Sequence, residues 1–275
     1  AQKNSLPFEL YDEVVFQRRK DFELLGHFHQ AIQEHELFLV YQPKMNLREN
    51  KPCGLEALIR WKHPQKGLIP PDEFIPLIEE TQLIHSLTDF VVEHTLQMIQ
   101  LLQEHGYRIP ISINVSAKNL FERHFSERLI DQIHHYGIDP SLMEVEITET
   151  ALMTNPENSK QYLSKLHHTG VKISLDDYGT GYSSLAYISM FPLQVIKIDK
   201  LFIGGIQDTT SVKQIVKSTI DLAHALGYEV LAEGVETIEN VRTLVDLDCD
   251  MAQGYHFAKP MPKEDLLIWI EKKWR

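Results

Sequence analysis

The chain has only two cysteines among 275 residues, Cys53 and Cys249. They form no CxxC pair and imply no disulfide scaffold, so a reducing, cytoplasmic setting is expected. Long apolar runs are also missing. No stretch approaches membrane-spanning length, and the N-terminus AQKNSLPFEL lacks the form of a signal peptide. It lacks an initiator Met as well, which predicts a fragment of a longer protein whose absent part could hold a membrane anchor. Basic charge is scarce: 27 Lys and Arg face 39 Asp and Glu, for a formal net charge of −12. Such a surface argues against a nucleic-acid polymer as partner. It still admits an anionic small ligand where metal ions supply local positive charge.

Several catalytic motifs are absent. Gly204-Gly205 has no P-loop Lys-Ser/Thr after it. Gly179-Thr180-Gly181 lacks the third glycine and the downstream acid of a dinucleotide fingerprint. No serine sits in a GxSxG elbow. His134-His135 and His167-His168 are adjacent on predicted helices and point apart, and His27, His29 and His35 read as surface residues, so none forms a ligand set.

What is present is a folded composition, 43% hydrophobic and 24% charged, with a regular alternation of elements. Phe8 to Glu36 has helical spacing, and its first half, with Arg18-Arg19-Lys20, reads as a linker helix leaving an upstream domain. Leu37–Gln42 reads as a strand that stops at Pro43, and Cys53–Trp61 as the next strand. Lys44–Pro52 is too short for a crossover helix, so these two should be antiparallel. Helices are expected at Phe74–Glu80 and Ser86–His105. Strands then fall at Ile111–Val115, Met143–Thr148, Val171–Leu175, Val195–Ile198, Glu229–Ala232 and Asp250–Gly254. Between and after them lie helices at Phe125–Tyr136, Pro156–His168, Ser183–Ser189, Ser211–Leu226, Thr237–Leu247 and Lys263–Trp274. Gly137, Gly170 and Gly227 sit where glycine closes helices. About eight strands in one α/β domain of this length predict a closed (β/α)8 barrel with its chemistry at the C-terminal strand ends.

Polar residues gather at those ends: Glu56, Asn114, Glu146, Asp176, Asp177, Lys197, Glu233 and Gln253. The focal stretch is Ser174–Leu185, SLDDYGTGYSSL, where a strand runs into two adjacent acids and a glycine-rich loop. A solvated turn is the alternative for that stretch taken alone. Five carboxylates at one barrel mouth cannot all stay ionised unaided. Oxygen ligands with one Asn amide suit Mg²⁺ or Mn²⁺ rather than zinc. The count allows two ions bridged by Asp176, an arrangement suited to hydrolysis of a phosphate ester. Lys197 can orient or stabilise the attacking water, or form a plain salt bridge with the acids. Arg60 can pair with a phosphate oxygen or lie on the surface. Glu149, an odd step beyond Glu146, should point away from Glu146's side and anchor the loop Asp177–Ser184, with a surface carboxylate as the alternative.

These residues identify a resemblance. Tyr41-Gln42-Pro43 resembles a YQP motif, and Glu56-Ala57-Leu58-Ile59-Arg60-Trp61 resembles EAL(L/I)RW. Asn114-Val115-Ser116 is similar to NxS, and Glu146-Ile147-Thr148-Glu149 to E(I/L)TE. Asp176–Leu185 is similar to DDFGTGYSSL, followed by Lys197-Ile198-Asp199, Ala232-Glu233-Gly234-Val235-Glu236 and Gln253-Gly254-Tyr255. From about Gln30 to the C-terminus the chain resembles the EAL domain family of bacterial cyclic di-GMP phosphodiesterases, leaving residues 1–29 as a lead-in. Tyr178 stands in place of the usual Phe and Gln82 in place of a common Gly.

The resemblance implies a modified TIM barrel with an antiparallel first strand, and metal-dependent hydrolysis of cyclic di-GMP to linear pGpG. It implies one ion on Glu56, Asn114, Glu146 and Asp176, and a second on Asp176, Asp177 and Glu233. Mg²⁺ or Mn²⁺ would serve, and Ca²⁺ would inhibit. Glu56, Lys197 and Glu233 would be catalytic, with Lys197 on the water and Glu233 a ligand, a base, or both. Gln42, Arg60, Asp199, Glu236 and Gln253 would contact substrate. Glu149 would support the loop near 177–184, which borders a homodimer interface in relatives. An upstream sensory or GGDEF-type domain is expected. A non-catalytic cyclic di-GMP receptor and an interaction module are the competing readings.

Overall fold

The computed structural model describes residues 22–179, 188–207 and 209–273. They divide into two compact units, one of residues 22–38 and 59–90, the other of residues 39–58 and the described part of 91–273.

The first unit is built on Trp61, which is fully buried. Phe28, from the helix 22–33, meets the indole edge-on at 5.6 Å, and Phe74, from the helix Pro71–Glu79, does so at 5.4 Å. Buried aromatics of this size dominate a small core, and the T-shaped geometry suits their quadrupoles. The indole N–H donates to Glu36 Oε2 at 2.9 Å, and His27 Nε2 lies 2.8 Å from Glu36 Oε1. His27 is therefore not the plain surface residue its spacing suggested: it is partnered and partly covered.

The second unit holds a barrel. Its strands are β1 (Leu37–Asn46) and β2 (Lys51–His63), which enter through residues 39–46 and 51–58, and six more. These are β4 (Ile111–Asn114), β5 (Met143–Thr148), β6 (Lys172–Tyr178), β7 (Val195–Ile198), β8 (Glu229–Ala232) and β9 (Met251–Ala252). The short β3 (Gly67–Ile69) pairs only with the first-unit end of β2, at Trp61–His63. Parallel neighbours run β2-β4-β5-β6-β7-β8-β9, and β1, antiparallel to β9, also pairs with β2 and closes the ring. The expected modified TIM barrel with an antiparallel first strand is what the chain forms.

The register decides what fills it. Glu56 is level with Ser112, Asn114 with Glu146, and Glu146 with Ser174. Further round, Ser174 is level with Val195, and Lys197 with Leu231. Level residues on neighbouring strands share a face, and side chains alternate along each strand. One face thus carries Glu56, Asn114, Glu146 and Lys197. The other carries Leu55, Ile113, Val145, Ile173, Ile196 and Val230, all at 0% exposure. Lys197 on β7 reaches Glu146 on β5 and Glu56 on β2, which requires that the polar face be the lumen. The apolar face meets the outer helices, whose own buried residues include Leu163, Leu166, Val216 and Ile220. Each such aliphatic side chain contributes about 1.5–3 kcal/mol by burial. A one-residue slip of any strand would turn its acids onto the helices, so the register is strongly specified.

Several boundaries differ from expectation. β1 does not stop at Pro43 but continues to Asn46, and β2 starts at Lys51, so their connection is 47–50. Proline lacks an N–H, but Pro43 falls between the bridge Tyr41–Met261 and the pairing of Met45 with Ala252. The helix expected from Phe74 begins at Pro71, where proline suits the first turn, and the next spans Leu83–Glu104. β5, β7 and β8 have the expected limits. Short helices at Ala117–Leu120, Glu149–Thr154 and Lys200–Gly204 were not anticipated. The linker helix expected before residue 22, most of the helix expected at Ser183–Ser189, and Trp274 lie outside the described residues.

Candidate functional site

Every predicted metal ligand belongs to the second unit: Asn114 ends β4, Asp176 and Asp177 lie near the end of β6, Glu233 follows β8, Glu146 stands two residues before the end of β5, and Glu56 lies within β2. Asp176 and Asp177 are adjacent, and a regular strand would send them to opposite faces. They lie inside β6 rather than beyond it, at a register shift between Leu175 and Tyr178. Leu175 pairs with Ile196 and Tyr178 with Ile198, so three steps on β6 match two on β7. This is a bulge, which re-aims a side chain at the cost of one ladder position. Asp177 takes φ 55°, a left-handed conformation that Asp tolerates better than most residues, and its N–H donates to Asp176 Oδ1 at 2.9 Å. As a result Asp176, Asp177 and Glu233 each bring a carboxylate oxygen within 4.8 Å of one another.

Lys197 stands among the acids at 1% exposure. Its Nζ lies 2.8 Å from Glu233 Oε1, 3.1 Å from Asp176 Oδ1 and 3.8 Å from Glu56 Oε1, and it donates to Glu146 Oε2. Burial alone would favour the neutral amine, but Glu146, Glu233, Glu56 and Asp176 outweigh it and hold the lysine charged, its pKa well above the ordinary value. Glu146 shows the converse balance. Burial pushes its carboxyl up, while Lys197 and Lys44 pull it well below the usual range.

No sequence motif singles out Lys44. It is 3% exposed and donates to Glu146 Oε1 at 2.7 Å and to Glu144 Oε1 at 3.0 Å. Its stem passes Gly54, with Cδ 3.6 Å from where a Cβ would stand. Had β1 been carried through Pro43, alternation from Gln42 would have placed Lys44 in the lumen, and Glu144 follows from Glu146 in the same way.

Glu56 has other partners. Asn114 Nδ2 donates to its Oε1 at 2.9 Å and Gln253 Nε2 to its Oε2 at 2.5 Å. Its pKa is raised by burial, then by Glu146 and Asp176, against the pull of Lys197. Burial, Asp176 and Glu56 push Glu233 up to about 8. Asp177 is also raised, by burial, Asp176 and Asp199. The Gln253 amide also donates to Gln42 Oε1 at 3.0 Å, and Gln42 donates to the Ala258 carbonyl at 3.1 Å. Gln253 Oε1 is buried without a partner among the described residues. Gly254 permits this placement: a Cβ there would fall 2.1 Å from the Val235 carbonyl oxygen, and Val235 N–H donates to the Gln253 carbonyl.

The remaining predicted residues divide. Asp199 is buried and caps the helix Lys200–Gly204, accepting from Leu201 N–H at 2.8 Å. Glu236 is exposed. Arg60 belongs to the first unit and donates to the Ile59 carbonyl at 2.8 Å. Glu149 is not a surface carboxylate. It is 4% exposed at the start of the helix Glu149–Thr154, and its charge, after burial, helps raise the Tyr178 hydroxyl. Of the loop it was expected to anchor, residues 180–184 lie outside the described set.

An all-oxygen donor set with converging carboxylates, three of them within 4.8 Å, fits hard divalent cations. Among the described residues no other group of His, Cys, Asp or Glu meets that spacing, and no helix is long and apolar enough to cross a membrane.

Comparison with known proteins gives a consistent result. The family profile described as EAL domain matches residues 26–260. The chain is 38% identical over 258 residues to the cyclic di-GMP phosphodiesterase PA2567 of Pseudomonas aeruginosa, covering 93% of this chain and 44% of that protein. It is 38% identical over 241 residues to the signaling protein YkoW of Bacillus subtilis, covering 88% of this chain and 30% of that one. The chain therefore spans less than half the length of either relative. A solved structure of the PaMucR phosphodiesterase in complex with c-di-GMP superimposes with a TM-score of 0.86 at 35% identity, covering 89% of this chain and 99% of that one.

Proposed function

The chain belongs to the EAL domain family, and on that premise we propose that it hydrolyses one phosphodiester bond of cyclic di-GMP to give linear pGpG. The observation that carries the reading is the convergence of Glu56, Glu146, Asp176 and Glu233 on Lys197, with Asp177 beside them, in a barrel of this family.

Glu56, Asn114, Glu146 and Asp176 would hold one Mg²⁺ or Mn²⁺, and Asp176, Asp177 and Glu233 would hold the other. The two ions, when bound, stabilise the attacking and leaving oxygens and lower the pKa of water. Water adds to one phosphorus, the bond from that phosphorus to the 3′ oxygen breaks, and the departing oxygen leaves with a proton. Lys197 would donate hydrogen bonds to the attacking water and to charge developing on the phosphoryl oxygens. Glu233, 2.8 Å from Lys197, would serve as a ligand of the second ion, as a base for the water, or as both. Gln42, Asp199, Glu236 and Gln253 position the substrate, and the unpartnered Gln253 Oε1 is a ready acceptor for a guanine or ribose donor. Glu149 acts through the end of β6 on Asp176 and Asp177. Ca²⁺ inhibits, because it prefers more ligands at longer distances than Mg²⁺.

The same proposal includes a homodimer through the region near 177–184, a cytoplasmic setting, and a longer protein with an upstream sensory or GGDEF-type domain. Product analysis after incubation with cyclic di-GMP and Mg²⁺ tests the activity. Wild type should form pGpG, and Glu56→Ala and Asp176→Ala should form none. Undiminished turnover in either variant refutes the assignment. Binding without pGpG identifies a receptor, and absence of binding an interaction module.

A further inference from the structure

Lys197 and a divalent cation draw on the same oxygens. Its ammonium engages Glu146, Glu233, Asp176 and, at 3.8 Å, Glu56, all of them assigned as ligands. The side chain is 1% exposed, so it has no solvent to retreat into. Lys44 differs: half of its pairing goes to Glu144, which is outside the acid cluster, so it can keep that partner whatever binds above it. Glu146 gives Oε1 to Lys44 and Oε2 to Lys197, so a cation that takes Oε2 competes directly with Lys197.

We propose that Lys197 is the cluster's own counter-cation, and that divalent-cation affinity is set by displacing its ammonium from the carboxylates. This rests on the reading of the cluster as a divalent-cation site. Lys197 then has two opposed effects: it serves the reaction while weakening cation binding, and it keeps the acid cluster from being a tight site that traps its ions.

The test is calorimetric titration of Mg²⁺ alone into wild type, Lys197→Met and Lys197→Arg, with no substrate. It is run at about pH 9, because cation affinity is pH-dependent and protons compete least there. Lys197→Met should bind Mg²⁺ roughly tenfold or more tightly than wild type, since a unit charge within about 4 Å is a strong repulsive neighbour even in a partly screened site. Lys197→Arg, which keeps the charge, should show no tightening. In EDTA, Lys197→Met should melt below wild type, and saturating Mg²⁺ should raise its Tm by more than it raises that of wild type. Should Lys197→Met fail to fold, Lys197→Gln, which keeps hydrogen-bond donors without charge, must show the same tightening. Equal or weaker Mg²⁺ binding in the neutral variants, with wild type binding normally, overturns the proposal and leaves the metal-site reading intact. Absence of Mg²⁺ binding in every form overturns both.

Discussion

Replacing Lys44 by Met probes the charge network beneath the acid cluster. The ammonium is 3% exposed and pairs at 3.0 Å with Glu144 and at 2.7 Å with Glu146. Removing one partner of a buried pair typically costs about 3–5 kcal/mol, because the other charge is left desolvated. Glu146 retains Lys197, so the loss falls mainly on Glu144 and lies toward the lower figure, about 3 kcal/mol. With a urea dependence of about 1–3 kcal/mol per molar, the unfolding midpoint followed by circular dichroism should drop by roughly 1 M or more. The double variant Lys44→Met with Glu144→Leu removes both charges and supplies apolar volume, so it should recover most of the loss. A midpoint unchanged in the single variant, or a double variant no better than the single, would refute the assignment of Lys44 as the counter-charge of this layer.

Three further outcomes are expected. Glu233 is raised from 4.5 to about 8, so the folded state holds a proton that the unfolded state releases; in EDTA stability should fall as pH rises from 4.5 to about 8, and Glu233→Gln should flatten that slope in urea midpoints. Gly254→Ala places a Cβ against the Val235 backbone at 2.1 and 2.3 Å, with no flexible side chain to yield, and should lower the Tm sharply; a variant with wild-type Tm would show that the β9 turn relaxes freely. Glu149→Ala should weaken Mg²⁺ affinity and turnover by roughly 10–100-fold, as outer-shell changes do, and wild-type values for both would show that the bulge of β6 holds itself.

The alternation of strands and helices was legible because each barrel strand carries an apolar outer face against its helices, and that demand is written into Val145, Ile173 and Ile196. The limits of β5, β7 and β8 were readable for the same reason. What the sequence concealed is where a local rule is overridden by position in the ring. Pro43 reads as a terminator, but a proline ends a strand only if its missing N–H is needed, and Pro43 lies where β1 changes partners. Accepting the terminator also hid Lys44, whose place in the lumen depends on the strand continuing. Asp176-Asp177 reads as a strand end running into a glycine-rich loop because Asp and Gly favour turns, and in a regular strand two neighbours would not share a face. The bulge resolves that conflict inside β6: one extra residue and one left-handed aspartate let consecutive carboxylates serve one site. The strain at Asp177 is thus tied to the chemistry proposed for it. An aspartate with ordinary extended geometry would restore the ladder between β6 and β7 and, by the same movement, carry the second carboxylate out of the lumen.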